Sequence, residues 1–379
     1  MFTMNGKFNH AAIMIDSIEE STKEQIQTFL NHPAFAKSKI VIMPDCHAGK
    51  GAVVGFTMTM NDYILSNLVG VDISCGVSLY NLGKIEIDLE KLDNHIQQNI
   101  PHGANVNTNK IIIEKNKEIL SEVYDDIIRL CIKLNIDSER VFASISSIGA
   151  GNHFVEGNKA PNGDIWISIH TGSRNFGLQI ASYHQNKAKE LMSKFFIAKD
   201  TYKDLEFLPM DMGGYEYLKD ASIAQVFAHE NRKAIANSIM SFLNVEPIDH
   251  FESVHNYINM DDKIIRKGAI QANQDQKVAI PLNMRDGVII GTGKGNTKWN
   301  CSAPHGAGRL FSRKQAKLNI NLEDYKASME GIYTSCVNED TLDESAFAYK
   351  DMNTIVDAIK ETVDIDFIMK PIYNFKSNK

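Results

Sequence analysis

The chain has 379 residues, of which 43% are hydrophobic and 23% are charged, and its formal net charge is −7 at pH 7. These values are typical of a globular protein and exclude a uniformly basic coat for nucleic acid. No apolar run reaches the roughly 20 residues of a membrane helix, and the first residues lack a signal peptide's basic and apolar regions, so we expect a cytoplasmic protein without membrane contact. Five widely spaced cysteines, an odd number, argue against a disulfide framework and leave thiols available to a metal.

The first half of the chain shows alternating helical and strand-like patterns. Apolar periodicity predicts a helix over 17–35, strands over 39–44, 52–60 and 77–82, and helices over 89–100 and 111–134. A glycine-rich loop at 45–51 joins the first two strands. The two later helices carry mostly core or surface residues, and we interpret them as scaffold.

The second half continues in the same way and contains one long loop. We predict strands over 165–170, 251–258, 278–281, 288–290 and 365–375, and helices over 180–196, 220–245, 310–318 and 354–362. The glycine-rich stretch 291–309 is predicted to be a functional loop because of its length. No repeat or linker interrupts the chain, so we predict one α+β domain, residues 1–379, in which helices surround central β-sheets and the site lies at strand ends and loops.

A carboxylate and a thiol lie three residues apart in the run Gly-Val-Asp72-Ile-Ser-Cys75-Gly. Four histidines in polar or glycine-rich settings follow: His153, His170, His255 and His305. We predict that Asp72, Cys75 and most of these histidines converge on one divalent metal, because a buried aspartate needs a partner. A thiolate, a carboxylate and neutral imidazoles suit Mn²⁺, Zn²⁺, Fe²⁺ or Co²⁺ and disfavour Mg²⁺ and Ca²⁺. His47 and His229 stay open as further candidates.

Charge is distributed unevenly along the chain. Residues 263–317 hold eleven Lys and Arg against two Asp, whereas residues 321–379 hold six Lys against twelve acids. The basic block includes the run Gly291-Thr-Gly-Lys294-Gly, which is similar to a phosphate-binding loop but lacks the Walker A and dinucleotide spacings. Together these features indicate a triphosphate or nucleic-acid phosphate ligand. A solvated basic surface is the competing interpretation.

Seven motifs occur in the order found in a known family and extend over nearly the whole chain. They are MPDxHxGxG at 43–51, GVDIxCG at 70–76, GxGNHFxE at 149–156, HxGSRxxG at 170–177, ENR at 230–232, VHNY at 254–257 and HGAGR at 305–309. This series resembles the RtcB family of GTP-dependent RNA ligases. The resemblance implies a two-manganese site in which Cys75 bridges the ions, Asp72 and His153 complete one ligand set, and His170 and His255 complete the other.

The resemblance also implies roles for residues around the metals. His305 matches the nucleophile that attacks the α-phosphate of GTP and forms a histidine-guanylate. The implied nucleotide contacts are Asn152, Glu156, Lys294, Gly306, Ala307, Gly308 and Lys376. Arg174 and Arg309 match groups near RNA phosphates. The run 291–298 stands where family members usually have Gly-Ser-Met-Gly-Thr, which predicts that this loop contacts the nucleotide.

The expected activity joins an RNA 3′-phosphate or 2′,3′-cyclic phosphate end to a 5′-hydroxyl end, in RNA repair or tRNA splicing, with an archease-like activator as a further partner. A neutral imidazole is a competent nucleophile near pH 7, which agrees with this chemistry. Two other functions remain open: a metal-dependent RNA-end phosphatase or cyclic phosphodiesterase, and a non-catalytic RNA-end-binding protein. The ligand set and the candidate nucleophile His305 favour an enzyme, since binding alone requires neither.

Overall fold

A computed structural model describes residues 1–195 and 202–377. The strands within these ranges are β1 (Phe2–Asn5), β2 (His10–Ile13), β3 (Ile40–His47), β4 (Val54–Thr59), β5 (Tyr63–Ile64), β6 (Gly76–Asn81), β7 (Phe154–Lys159), β8 (Ile165–Thr171), β9 (Leu208–Pro209), β10 (Asp249–Val254), β11 (Asn256–Asn259), β12 (Ile264–Lys267), β13 (Ala269–Gln271), β14 (Lys277–Asn283), β15 (Gly287–Gly293), β16 (Ser302–Pro304), β17 (Tyr333–Thr334) and β18 (Val363–Lys376). The helices are α1 (Glu20–Leu30), α2 (Ser66–Val69), α3 (Leu89–Asn99), α4 (Lys110–Ile119), α5 (Tyr124–Leu134), α6 (Ser138–Ala143), α7 (Arg174–Lys194), α8 (Gly214–Leu243), α9 (Arg313–Asn319), α10 (Leu322–Ser328) and α11 (Met352–Ala358). In the described ranges, no helix combines the length and the apolar character that a membrane crossing requires.

Two large sheets form the frame. The smaller has the order β1-β2-β3-β4-β12-β11, and the larger has the order β10-β6-β8-β7-β18-β15-β14, with β17 beside β18. The β2–β3 and β17–β18 pairs are parallel, and the other pairs of these two sheets are antiparallel. Helices pack against the sheets, which confirms the predicted α+β class.

Apolar side chains fill the layers between sheets and helices. Ile167 and Ile169 of the larger sheet pack with Ile235 and Ile239 of α8, and Val77 and other residues fill a separate cluster within the same sheet. The smaller sheet contributes to the largest cluster, which also includes residues of α1, α5, α7 and α8. Burying each such side chain stabilises the fold by about 1.5–3 kcal/mol, so these layers hold the strand ends in fixed positions.

The chain passes from one sheet to the other at His255. Strand β10 pairs with β6 in the larger sheet up to Val254, and β11 begins at Asn256 and pairs with β12 in the smaller sheet. The backbone N–H of His255 donates to the Cys75 carbonyl at 2.9 Å. The sequence predicted one strand over 251–258, which is wrong because its two halves find partners in different sheets.

Other predicted boundaries of helices and loops also differ from those in the structure. The predicted helix 17–35 is shorter, because Pro33 begins a separate 3-10 turn, and the helix 111–134 is broken by a 3-10 turn at Ser121–Val123. The predicted loop 291–309 contains the end of β15 and all of β16, which pairs with β13. Residue 196, the end of the predicted helix 180–196, lies outside the described residues.

Candidate metal and nucleotide site

One cysteine and three histidines from distant segments meet at one end of the larger sheet. The Sγ atom of Cys75 lies 3.1 Å from Nε2 of His170 and 3.4 Å from Nε2 of His153. Nε2 of His170 lies 3.3 Å from Nε2 of His255. All four side chains are buried. The structure therefore brings four of the five predicted metal ligands within contact distance.

Asp72 is the fifth member of this group. Its Oδ2 lies 2.8 Å from Nε2 of His153, and its Oδ1 accepts a hydrogen bond from the backbone N–H of Ser173 at 3.1 Å. Gly172 is required beside it, because a Cβ at that position would overlap the Asp72 carboxylate. The Gly-Ser part of the HxGSR motif thus fixes the aspartate.

Backbone carbonyls orient two of the imidazoles. Nδ1 of His153 lies 2.9 Å from the Ile148 carbonyl, and Nδ1 of His170 lies 3.0 Å from the Asn152 carbonyl. Since a carbonyl only accepts, we assign the proton of His170 to Nδ1, which leaves its Nε2 lone pair facing Cys75. Lone pairs that face one another at these distances are stabilised by a shared cation. The donor set therefore fits a divalent metal.

Burial controls the protonation of the group. It lowers the pKa of His170 and His255 well below the ordinary histidine value, so both imidazoles are neutral near pH 7. Burial also raises the pKa of the Cys75 thiol, and a divalent cation would favour the thiolate instead. Burial alone would raise the pKa of Asp72, but the hydrogen bond and the charge of His153 outweigh it, and that pKa is lowered.

Helix α8 holds the ligand-bearing loops through Arg232. This fully buried side chain donates to the Ser74 carbonyl at 2.8 Å and to the Thr171 carbonyl at 3.1 Å, and its NH2 lies 2.8 Å from Oε2 of Glu252. The two carbonyls belong to the residues next to Cys75 and His170. Arg232 of the Glu-Asn-Arg motif therefore holds in place the two backbone segments that carry Cys75 and His170.

His305 follows β16 and lies beside the metal ligands, with its ring centroid 4.7 Å from that of His255. Its Nδ1 lies 2.6 Å from Oδ2 of Asp45, which also accepts the His305 backbone N–H at 3.1 Å. A carboxylate accepts from Nδ1–H, so the lone pair is on Nε2. Gly308 has a φ of 75°, and a Cβ there would overlap the Asp45 backbone, which explains a glycine in this motif.

The sequence interpretation did not assign a role to Asp45. The signal that could have found it is a carboxylate at the end of a buried apolar run, within the MPDxHxGxG motif. His47, which was left open, also lies here: its Nδ1 is 3.0 Å from the Asp45 carbonyl, and burial lowers its pKa to about 4. His229, the other open candidate, is half exposed and contacts Glu252 instead.

A solvent-open pocket of about 710 Å³ adjoins His305. Its lining includes seven of the residues predicted to contact nucleotide or RNA: Asn152, Glu156, Gly306, Ala307, Gly308, Arg309 and Lys376. The Phe154 ring, also in the lining, has its centroid 5.1 Å from that of His170 and 5.3 Å from Nζ of Lys376. The pocket therefore extends from the metal ligands to Lys376.

The pairing of β18 with β7 forms the far end of this pocket. Lys376 is opposite Phe154 in the register, and Asn374 is opposite Glu156. Burial raises the pKa of Glu156 to about 8, so most of this carboxyl is neutral at pH 7. Lys376 is buried, and its Nζ lies 2.7 Å from Oε2 of Glu344.

Lys294 and the loop 291–298 do not line this pocket, contrary to the sequence-based expectation. Nζ of Lys294 lies 2.7 Å from the Lys360 carbonyl and 2.7 Å from Oδ1 of Asp364. The preceding Gly293 pairs with Val363, at the opposite end of β18 from Lys376, roughly 40 Å away along the strand. Pro281–Met284 lines the pocket instead.

The two arginines expected near RNA phosphates occupy different places. NH1 of Arg174 lies 3.1 Å from Nδ1 of His153, and the side chain lines a second cavity together with Arg140. NH2 of Arg309 lies 2.7 Å from Oε1 of Glu344, and this side chain lines the pocket beside His305. Both guanidinium groups thus border the cluster or its pocket.

Fold and site together define an α+β protein with a candidate metal centre beside a pocket that contains a carboxylate-bound histidine. Residues 25–377 match the family described as tRNA-splicing ligase RtcB, and the chain belongs to this family. It is 27% identical to the RNA-splicing ligase RtcB of Escherichia coli (strain K12), over 94% of each chain. It is 27% identical to the tRNA-splicing ligase RtcB of Aeropyrum pernix, over 83% of this chain and 82% of that protein. Identity to the RNA-splicing ligase RtcB of Mycobacterium tuberculosis is 26%, over 83% of this chain and 91% of that protein.

Family membership confirms the resemblance that the motifs indicated. It also identifies the protein as a ligase of the RNA-joining class.

Proposed function

We propose that this protein joins RNA ends that carry a 3′-phosphate or 2′,3′-cyclic phosphate to 5′-hydroxyl ends, using GTP and two Mn²⁺ ions. The observation that carries the proposal is the hydrogen bond from Nδ1 of His305 to Asp45, beside the Cys75 cluster. Residues 1–379 act as one catalytic domain in this proposal. The cellular setting is cytoplasmic RNA repair or tRNA splicing, and an archease-like activator is a candidate partner.

His305 is the proposed nucleophile. Its Nε2 attacks the α-phosphorus of GTP, a nitrogen–phosphorus bond forms, and the bond to pyrophosphate breaks. Asp45 keeps the proton on Nδ1 and stabilises the positive charge that develops on the ring. Burial of Asp45 strengthens this interaction because water does not screen it.

The proposed metal ligands are Asp72, Cys75, His153, His170 and His255. Two Mn²⁺ ions at these ligands supply neutralisation of the charge on phosphate oxygens. The lowered pKa values of His170 and His255 support the proposal, because protons do not compete for these imidazoles near pH 7.

The far end of the pocket suits a guanine base. A carboxylate at Glu156 can accept from the N1–H and N2–H groups of guanine, and the ammonium of Lys376 can donate to O6. Adenine presents an acceptor at N1 and a donor at position 6, and it has no amino group at position 2. We assign Asn152 and the backbone of Gly306, Ala307 and Gly308 to the part of the nucleotide nearer His305.

Two further transfers complete the reaction. The RNA 3′-phosphate takes GMP from His305, and the 5′-hydroxyl of the second RNA end then attacks that 3′-phosphorus, so that GMP leaves and a phosphodiester forms. Positioning and charge neutralisation provide most of the catalysis in such transfers. Arg174 and Arg309 are the proposed contacts to RNA phosphates.

The test is labelling of the protein with GTP carrying ³²P at the α-position, in the presence of Mn²⁺. The wild type should form an acid-labile, alkali-stable adduct, and His305→Ala should form none. Asp45→Asn should slow labelling by about 100-fold or more, because the ring then loses its fixed tautomer. His10→Ala, which removes an exposed histidine on β2, is the control and should label normally. An unchanged yield from His305→Ala would overturn the proposal.

A further inference from the structure

Glu344 is a buried carboxylate with two pairs of partners. Its Oε1 accepts from Arg309 at 2.7 Å and from Arg313 at 3.0 Å. Its Oε2 accepts from Lys376 at 2.7 Å and from the Tyr349 hydroxyl at 2.9 Å. Only 2% of the residue is exposed, and it lines the pocket beside His305. No motif of the sequence analysis included it.

The two pairs of partners face different parts of the site. Lys376 and Tyr349 line the pocket itself. Arg313 is half exposed and lines the adjoining cleft, which also contains Asp72, Cys75 and His305. One carboxylate therefore connects the far end of the pocket with the arginines at its mouth.

We infer that Glu344 is a positioning residue for nucleotide selection: it fixes Lys376 and Tyr349 at the base end of the pocket while it holds Arg309 and Arg313 at the mouth. The inference rests on the proposed function, because it concerns the same nucleotide pocket. It adds a residue that contacts neither the reacting atoms nor the metals.

Glu344 prevents Lys376 from pairing with the other carboxyl of the pocket. Lysine has a flexible four-carbon stem, and the other carboxyl that lines this pocket is Glu156, which lies within range of the charge of Lys376. Without Glu344, the ammonium would pair with Glu156 and occupy both groups that recognise the base. Glu344 keeps Lys376 apart from Glu156, so that the donor and the acceptor both remain available to guanine.

Glu344 can do this because it is charged and fully bonded. Burial would raise its pKa, but the charges of Lys376, Arg309 and Arg313 outweigh burial and hold the pKa well below the ordinary glutamate value. Four donors directed at two oxygens restrain both the carboxylate and its partners. Preorganised groups of this kind cost less entropy when a ligand binds.

The neighbouring Asp343 offers a matched control. Its Oδ2 lies 2.7 Å from NH1 of Arg313 and 3.6 Å from NH2 of Arg309. Within the described residues, its ion pairs are all with basic residues of the 309–317 segment. Asp343→Asn therefore removes a carboxylate from the same arginines while the bond between Lys376 and Glu344 stays intact.

The experiment compares Glu344→Gln and Asp343→Asn in the GTP-labelling reaction, for GTP and for ATP. Labelling is a single turnover, so KM here is the nucleotide concentration at half the maximal labelling rate and kcat is that maximal first-order rate. Glu344→Gln should raise the KM for GTP about tenfold, leave kcat within about threefold, and reduce the preference for GTP over ATP, because a charge-assisted bond at the base end is lost. Asp343→Asn should keep the wild-type KM for GTP.

The possible failures are distinguishable. Absence of labelling in the wild type would overturn the proposed function and this inference together. Labelling with the same KM and nucleotide preference in Glu344→Gln as in the wild type would overturn the inference alone, as would equal changes in Glu344→Gln and Asp343→Asn. If Glu344→Gln does not fold, Tyr349→Phe replaces it. That variant removes one donor to Oε2 and should raise the KM about threefold, and an unchanged KM would overturn the inference.

Discussion

A single buried carboxylate decides which nitrogen of His305 is available for chemistry. Asp45 accepts from both Nδ1 and the backbone N–H of His305, so the ring and the main chain are held by the same oxygen. A backbone carbonyl does the same for His170. The tautomers of these imidazoles are therefore set by the acceptors that surround them, a carboxylate for His305 and a backbone carbonyl for His170.

Glu156 predicts a pH dependence for GTP binding. Its pKa is raised to about 8, so the carboxyl is protonated at lower pH and cannot accept both guanine N–H donors. Binding GTP then requires release of this proton, and affinity should rise by up to about tenfold per pH unit between pH 6 and 8 before levelling above the pKa. Titration with a fluorescent GTP analogue at fixed metal concentration measures this.

The control for this prediction is Glu156→Gln, which has no proton to release in this range. It should bind GTP weakly and with little pH dependence. The pKa of His47, at about 4, lies below that window, so His47 does not change its charge between pH 6 and 8. A wild-type affinity that stays constant over this range would therefore contradict the prediction.

At the scale of elements, the site exists because strands of two sheets end at the same place. His170 is opposite Val77 in the pairing of β8 with β6, which starts one residue after Cys75. His255 occupies the single residue between β10 and β11. The ligands thus lie at strand ends, and Arg232 of helix α8 holds the loops beside them through hydrogen bonds.

Arg232 of α8 should matter for stability because its charge is fully buried. Arg232→Met would leave Glu252 without its guanidinium partner and two carbonyls without their donor. Leaving a buried acceptor without its donor costs about 1–3 kcal/mol, so loss of the donor to both carbonyls should lower the free energy of unfolding in urea by about 2–6 kcal/mol.

A surface pair on β10, the strand that carries Glu252, serves as the control for Arg232. Lys277, whose side chain is 56% exposed, pairs with Asp249 of β10. Lys277→Met should change the free energy of unfolding by less than about 1 kcal/mol, since exposed pairs contribute little. Equal effects of the two substitutions would show that Arg232 has no special role.

In the folded protein, the basic block of residues 263–317 is less positive at the surface than its charge count indicates. Cations of the basic block pair with acids from other segments: Lys277 with Asp249, and Arg309 with Glu344. Linear charge counts therefore overstate the positive surface. What remains near the pocket is a small number of arginines next to His305.

At the scale of the whole molecule, a metal at this site would cross-link segments that are far apart in sequence, from Asp72 to His255. A ligand that binds only the folded state stabilises it, by about 2.7 kcal/mol at 100 times its dissociation constant. Saturating Mn²⁺ should therefore raise the Tm by several degrees in a thermal unfolding experiment.

Two cysteine variants test whether the stabilisation comes from this cluster. Cys75→Ala should lose most of the Mn²⁺-dependent rise in Tm. Cys131→Ala removes another buried thiol, on α5, and should keep it. A full rise in Cys75→Ala would place the stabilising cation elsewhere in the molecule.

The fold class, the family and the five residues of the Cys75 cluster were predictable from the sequence alone. Local patterns suffice for this, since Asp72, Cys75 and His170 lie in short motifs at the ends of apolar runs. The β8 and β18 strands were also predicted nearly in full, because their apolar residues follow a strand-like pattern.

The folded structure was needed to learn which residues meet across long distances. It separated Lys294 from the pocket, because Gly293 and Lys376 lie at opposite ends of β18, and it divided the predicted strand around His255 between two sheets. It also placed Asp45 against His305 and Glu344 against Lys376. Such contacts depend on strand register and on the packing of distant segments, and no local periodicity in the chain encodes either.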